Sequence, residues 1–466
     1  MKSWHKQFGL IFALLLGLNF CQGQNKWTGY WIDTIKTYTQ DLKIILHFES
    51  NYQNEMTLNM YSIDQSRTPI PIKSFQIKED SLLFSSKTYG FQFKGQFVDS
   101  NSSIIGTFKQ GQVVPLRFTH IDSLPRLYRP QTPQPPFDYD IEEVVFTNKK
   151  AKINLSGTLT IPKNYQQGIA VVLVAGSGPQ DRDETIFEHK PFAVIADMFT
   201  KNGIAVLRYD KRGVGQSKGN YLSATTFDFA EDAQAAVDFL KKDKRFKKVG
   251  ILGHSEGGII AAMLAAKPKT KLSFAALLAA PAQKGDSLIV SQVYYAALAS
   301  GLDEIYAQAL ANQERFLLDM LLKHKDSILI KIDEELDKHK QNLPENDIEL
   351  ALWKNFVPFR DIFPCLSPWF QTFLTINPSD YLKNKKIPIF SLYGSIDCQV
   401  PSKTNNDLMF DCLSANDVWF SLITLNNKNH LFQNATTGTM KEYANISETI
   451  AFDVLTMLKD WILKYK

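Results

Sequence analysis

The sequence predicts a chain of two parts: a small antiparallel β-barrel or sandwich, then an α/β domain on a mostly parallel sheet with a helical insertion. Three observations predict it. From about Trp27 to Ile121, apolar and polar residues alternate in short runs, the period-2 mark of half-buried strands. From Ile141 onward, apolar runs alternate with helical patterns, as in a sheet covered on both faces. Between Ala282 and Lys386 the strands stop and long helical patterns take over. At 466 residues, with 44% hydrophobic and 12% aromatic content, the chain suits two or three well-cored domains rather than disorder.

The N-terminus reads as a signal peptide. Lys2 and Lys6 precede the apolar run Phe8 to Phe20, and small residues at Cys21 and Gly23 suit a cut after Gly23. The expectation is export, to the periplasm or outside the cell. A lipid anchor at Cys21 competes with it, though Phe20 is bulky for that pattern. The apolar run is short for a membrane span, and no later segment is apolar enough to be one.

Residues 24–122 form the β-rich part. Leu42 to Phe48, Glu55 to Tyr61 and Phe91 to Phe97 are its clearest strands. No catalytic constellation falls there, and His47 and His120 read as ordinary strand residues. It is a candidate binding or dimerisation module, so a homodimer is one expectation. Pro125, Pro130, Pro133, Pro135 and Pro136 then mark residues 123–140 as a stiff linker.

The α/β part, 141–466, opens with a hairpin, Glu142 to Phe146 and Lys152 to Ile161. Strands follow at Ile169 to Val174, Ile204 to Arg208, Val249 to Leu252, Phe274 to Leu278, Ile387 to Leu392 and Val418 to Leu422. Helices are expected at Pro191 to Lys201, Phe227 to Lys241 and Ser447 to Lys464. The insertion at about 282–386, with helices Asp303 to Lys323 and Ser327 to Gln341, reads as a cap over the sheet's active edge.

Chemistry concentrates at Gly253-His254-Ser255-Glu256-Gly257, a G-x-S-x-G stretch between an apolar strand and a helical pattern. A strand–turn–helix context makes it a nucleophile elbow with Ser255 at the tip. A serine hydroxyl needs a base, and the base needs a carboxylate to hold its tautomer. Asp397 and His430 follow in the required order, each just beyond the carboxyl end of a strand, where open α/β sheets place their sites. The backbone N–H of Glu256, and one from Ala175-Gly176-Ser177-Gly178-Pro179, are the expected oxyanion donors, Ser177 before Gly178. His254 lies inside the elbow and reads as a packing residue. Asp181, Arg182 and Asp183 read as a loop-stabilising ion network, or else as polar-substrate contacts.

The formal charge is +4, or +2 without Lys2 and Lys6, which is no electrostatic footprint for nucleic acid. Cys365, Cys398 and Cys412 remain after the cut, compatible with one disulfide and one free thiol. Their spacing with histidine is not that of a zinc site, and no metal or cofactor is expected. The cap carries an aromatic cluster of Trp353, Phe356, Phe359, Phe363, Trp369, Phe370 and Phe373. It reads first as packing between cap and sheet. Trp369 and Phe370 are candidates for an apolar pocket above Ser255.

The stretches Gly176 to Glu184, His189 to Phe192 and Val206 to Ser217 resemble the α/β-hydrolase superfamily. More narrowly, they resemble secreted bacterial esterases near the prolyl-oligopeptidase-like (S9-type) hydrolases. The resemblance runs from Ile141 to the C-terminus, with Ser255, Asp397 and His430 at the family's triad positions. Ala175 departs from it, since related proteins often carry His there. The resemblance implies an α/β-hydrolase sheet with a helical cap, and a serine carboxylesterase acting on a small-molecule ester. A peptidase of the prolyl-oligopeptidase type shares the chemistry, but the β-rich part is too short for its propeller. A hydrolase fold that binds without turnover is the third reading.

Overall fold

The computed structural model describes residues 26–465 except 37–40, 51–54, 64–65, 87–88, 99–101, 111, 126, 166–167, 345–347 and 354–362. Lys2, Lys6, the Phe8 to Phe20 run, Cys21, Phe356 and Phe359 lie outside the described residues. The chain divides into two compact units, Met1–Pro125 and Arg126–Lys466.

In the first unit, nine antiparallel strands form one sheet. They are β1 (Gly29–Lys36), β2 (Asp41–Ser50), β3 (Met56–Ser62), β4 (Ser66–Pro71), β5 (Ser74–Lys78), β6 (Ser81–Ser86), β7 (Phe91–Val98), β8 (Ser103–Gln110) and β9 (Gln112–Ile121). Their order is β4-β3-β2-β1-β9-β8-β7-β6-β5. The expected alternation is plain in β7, where Phe91, Phe93 and Phe97 are buried and Gln92, Lys94 and Gln96 exposed. The inward side chains, with Trp27, Trp31, Phe48, Phe84 and Phe118, form the core. The expected barrel or sandwich is corrected to a single open sheet. β4 and β5 are neighbours in sequence, yet among the described residues no ladder joins these two edges. A glycine pair shapes the wrap. Gly95 faces Gly106 across β7 and β8. A Cβ at either would come within 2.6 Å of Phe93 Cζ, so only glycine lets that ring fill the inner side.

In the second unit, eight strands take the order β10-β11-β13-β12-β14-β15-β16-β17. They are β10 (Tyr139–Asn148), β11 (Ile153–Pro162), β12 (Gly168–Val174), β13 (Ile204–Tyr209), β14 (Phe246–His254), β15 (Ala275–Leu278), β16 (Ile389–Gly394) and β17 (Phe420–Leu425). β10 and β11 form an antiparallel hairpin, and β11 also meets β13 antiparallel. All pairings from β13 onward are parallel. Every residue of β12 is buried, as a strand covered on both faces must be. This is the α/β-hydrolase arrangement.

Helices α1 (Pro191–Lys201), α2 (Thr226–Lys242) and α3 (Glu256–Ala265) follow β12, β13 and β14 in turn. Thr225 and Asp228 close a capping box at the start of α2, which fixes where that helix begins. Between β15 and β16 lie α4 (Gly285–Ala299), α5 (Glu304–His324), α6 (Ile328–Gln341), α7 (Ile348–Leu352), α8 (Pro368–Thr375) and α9 (Ser379–Leu382). This insertion has a small core of its own, built on Leu318, Leu321, Ile328, Ile332 and Leu374. Helices α10 (Ser402–Leu413) and α11 (Phe452–Leu463) follow β16 and β17.

Further expectations shift. The proline-rich stretch packs into the second unit rather than running free. Arg129 donates to the carbonyl oxygens of Phe187 at 2.9 Å and Ile446 at 2.9 Å, and Gln131 donates to Ile450 O at 2.8 Å. The last helix starts at Phe452, not near Ser447. Thr449 N–H donates to Gln131 and the Thr449 hydroxyl meets His189, which holds that segment outside the helix. Cys398 and Cys412 are free thiols, so no disulfide joins these two. Among the described residues, no helix is long and apolar enough to cross a membrane.

Candidate active site

β14 ends at His254 and α3 begins at Glu256, leaving Ser255 alone in the turn with φ 53° and ψ −121°. A non-glycine residue in such a region costs about 1–3 kcal/mol, so its surroundings must hold it. Ser255 N–H donates to Leu278 O at 2.8 Å, and Ser255 O accepts from Gly258 N–H at 2.8 Å. The turn closes because its glycines carry no side chain. A Cβ on Gly253 would lie 2.0 Å from Gly257 O, and one on Gly257 2.0 Å from Val174 O. Ser255 is partly exposed while Gly253, His254, Glu256 and Gly257 are buried.

Asp397 and His430 meet. Asp397 follows β16, and its Oδ1 accepts from Gln399 N–H at 2.8 Å and Val400 N–H at 2.9 Å. Those bonds aim Oδ2 at His430 Nδ1, 2.8 Å away, with both residues buried. His430 sits in a tight loop after β17. Asn429 Oδ1 accepts from Leu431 N–H and Gln433 N–H, at 3.1 and 3.0 Å. With Nδ1 taken by the carboxylate, Nε2 is the nitrogen left for proton transfer.

The loop Ala175 to Pro179 passes beside the serine, since a Cβ on Gly176 would lie 3.2 Å from Ser255 Cβ. Its amides have different partners. Gly176 N–H donates to Glu184 Oε1 at 2.5 Å, and Gly178 N–H faces the Tyr221 hydroxyl. Among the described residues, no internal bond takes the Ser177 amide. Glu256 N–H stands at the first position of α3, where helix amides have no helical partner.

The Glu256 side chain turns inward and is fully engaged. It accepts from Lys211 at 3.2 Å, Thr226 at 2.6 Å and the Trp369 indole N–H at 2.7 Å. Lys211 also donates to Gly176 O at 2.6 Å. Trp369, on α8, therefore ties the cap to the elbow helix, and stacks on Phe373 at 5.3 Å. Phe370 packs against the cap's own core. Trp353 is buried against Phe316. The Phe363 side chain lies outside the described residues.

His254, expected to pack, has polar partners at both ring nitrogens. Nδ1 lies 3.0 Å from Glu184 Oε1 and Nε2 lies 2.9 Å from His430 O. Burial opposes its charging most strongly, yet the Glu184 carboxylate, the bond to His430 O and Asp397 together raise the His254 pKa. His189, also buried, bonds Thr449 and Tyr443 O at 2.9 Å each, and burial depresses its pKa to about 4. It braces the segment after His430. Arg182 and Asp183 form ion pairs, Arg182 with Asp210 at 2.8 Å and with Glu143, Asp183 with Arg208, whereas Asp181 accepts from Asp183 N–H at 3.1 Å, Thr185 N–H at 2.9 Å and the Thr185 hydroxyl at 2.7 Å. Among the described residues, no group of three or more His, Cys, Asp and Glu side chains could hold a metal ion.

Parts of the chain are similar to known proteins. Residues 188–342 match the family model for serine aminopeptidase, S33, also called Hydrolase_4. The chain is 28% identical over 300 residues to the esterase EstD of Thermotoga maritima. That match covers 63% of this chain and 63% of EstD, so the chain spans under two thirds of that relative's length. Among solved structures, the Pyrococcus furiosus esterase Pf2001 is 15% identical with a TM-score of 0.42, over 73% of this chain and 97% of that one. Proline iminopeptidase from Mycobacterium smegmatis is 15% identical with a TM-score of 0.42, over 69% and 98%. The second unit thus has an α/β-hydrolase sheet topology, and parts of its sequence are similar to the S33 model and to EstD. Neither likeness shows the S9-type subgroup.

Proposed function

We propose that the protein is a serine carboxylesterase that cleaves small or medium carboxylic esters through an acyl-enzyme. The observation that carries this is the buried Asp397–His430 pair, 2.8 Å apart, on the same sheet edge as the strained Ser255 turn. Ser255 Oγ attacks the ester carbonyl carbon while His430 Nε2 takes its proton. Glu256 and Ser177 N–H groups hold the oxyanion as the tetrahedral intermediate forms, with Gly178 the second choice for that loop. The C–O bond to the alcohol breaks and His430 returns the proton to the leaving oxygen. Water then repeats the cycle on the acyl-Ser255 ester and releases the acid. Asp397 holds the His430 tautomer and stabilises its imidazolium.

A cavity of about 280 Å³ lies beside Asp397, though neither Ser255 nor His430 lines it. Tyr295 and Leu298 of α4 line one side, Ile396 and Pro401 the other. Trp369 and Phe370 are the aromatic residues of α8 that would flank one substrate group.

A peptidase reading follows from the S33 match, because an aminopeptidase needs a carboxylate for the substrate's α-amino group. The Glu256 carboxylate, next to the nucleophile, is already taken by Lys211, Thr226 and Trp369, which favours an ester. Export to the periplasm or beyond accompanies the proposal, from the N-terminal pattern.

The experiment is a panel of p-nitrophenyl esters and aminoacyl anilides, with fluorophosphonate labelling. The wild type should prefer esters and be labelled at Ser255. Ser255→Ala should lose more than about 10⁴-fold in kcat and all labelling. Faster anilide than ester turnover would reverse the ester assignment. Undiminished hydrolysis by Ser255→Ala would end the mechanism.

A further inference from the structure

We propose that His254 is a doubly protonated positioning residue: by donating from Nδ1 to Glu184 and from Nε2 to the main-chain oxygen of His430, it locks the His430 loop to the elbow and to the loop beside Ser255. The inference rests on the serine-hydrolase reading above for its catalytic consequence, but its protonation stands on geometry alone.

His254 is the last residue of β14 and is buried. Both its ring nitrogens face oxygens, Glu184 Oε1 at 3.0 Å and His430 O at 2.9 Å. A main-chain carbonyl can only accept. Glu184 Oε1 also accepts the Gly176 amide at 2.5 Å, as an ionised carboxylate oxygen does. A neutral imidazole has one N–H and would press a lone pair against one of these oxygens. The imidazolium satisfies both. One carboxylate oxygen and one imidazolium thus join three segments that meet at the reaction centre.

The charged and titratable groups facing His254 are Glu184, His430 with its ring centroid 4.7 Å away, and Asp397. The other side chains around it, such as Phe192 of α1 and Leu278 of β15, are apolar. Burial opposes the charge, but Glu184, the bond to His430 O and Asp397 together raise the pKa above the ordinary 6.5. The sign follows. A raised pKa means the bond to His430 O is fully present below pH 6.5 and is lost as pH rises through the higher folded value. His254 reaches no substrate atom, so its loss should act on kcat rather than on KM.

The test measures kcat and KM against pH, with p-nitrophenyl butyrate, for wild type, His254→Gln and Glu184→Gln. Wild-type kcat should fall on the alkaline side. Glu184→Gln keeps an acceptor for Gly176 but removes the charge, so that limb should move to lower pH by about one unit. His254→Gln should remove the limb and lower kcat by about 10- to 100-fold, with KM within about 3-fold of wild type. A kcat loss equal at every pH, with the limb unmoved, would overturn the proposal. So would folded variants with wild-type profiles. A second readout needs no turnover: ¹⁵N NMR of the wild-type histidine rings at pH 7, with the His254 signal identified by its shift in Glu184→Gln. Two protonated ring nitrogens are expected, and a neutral tautomer overturns the proposal even if His254→Gln does not fold. If the wild type neither cleaves esters nor takes up fluorophosphonate, the serine-hydrolase reading fails while the NMR result still decides the state of His254.

Discussion

In the first unit, strands such as β7 bury apolar side chains on one face only, whereas the central strands of the second are apolar on both. The consequence shows in where polar groups are buried. Among the described residues of the first unit, only Ser62 and Ser103 are buried polar side chains. In the second, Glu184, His254, Glu256, Asp397, Asn429 and His430 are all buried, at or just beyond the carboxyl ends of strands. A sheet covered on both sides has no polar face, so its chemistry is confined to its strand ends. There, loops supply hydrogen-bond partners that make burial tolerable. A sheet with a wet face needs no such devices and carries none.

The sharpest way to break this contrast is at Asp397. Asp397→Asn keeps the shape and the bonds from Gln399 and Val400 to an amide oxygen, but it removes the charge that holds His430. We expect kcat to fall by about 10⁴-fold with little change in KM. Stopped-flow or steady-state ester hydrolysis checks it. A loss under tenfold would mean that the buried Asp397–His430 pair serves only packing. In the first unit, the matching experiment is Phe93→Ala. Phe93 is fully buried, packs on Phe84 at 5.0 Å and fills the space under Gly95 and Gly106. Its truncation should cost about 3–5 kcal/mol of that unit's stability. Calorimetry should show one transition lowered, while kcat/KM below both transitions stays within about two-fold. Loss of turnover in step with that unit's unfolding would show that the first sheet supports the site.

What could be read from the residues divides along the same line. The elbow was legible because G-x-S-x-G followed an apolar run and opened a helical pattern. Asp397 and His430 were legible because strand ends and chain order left few other places. The ion network around Arg182 was legible as charges, though not its pairings. The cap was legible as an interruption of strands between Ala282 and Lys386, and its helices lie there. What could not be read was anything that depends on distant segments meeting. Glu184 and His254 are 70 residues apart, and Glu256 and Trp369 are 113 apart, with no period or spacing to connect them. Arg129 looked like part of a linker because prolines surround it, and only the fold shows its carbonyl partners more than 300 residues on. Whether the first sheet closes depends on how β4 and β5 meet after the sheet twists, which alternation alone does not record.

The smallest expected effect sits where cap and sheet join. The Glu256 carboxylate is buried and takes three donors, of which the Trp369 indole is the one supplied by the cap. Trp369→Phe keeps an aromatic ring to stack on Phe373 but removes the N–H. Lys211 still neutralises the carboxylate and Thr226 still donates, so the loss should be about 1–2 kcal/mol in stability rather than the larger penalty of an unpaired buried charge. The elbow itself is held by other bonds, Ser255 N–H to Leu278 O and Gly258 N–H to Ser255 O, so kcat should hardly move. The cap is what loosens, and KM for the longer acyl esters should rise several-fold while that for acetate changes less. Measuring KM across acyl lengths separates the two roles of the residue. A rise confined to long chains makes Trp369 a wall of the pocket through its attachment. A fall in kcat at every length would instead mean that the indole holds the elbow, so that cap and sheet edge form one device rather than two.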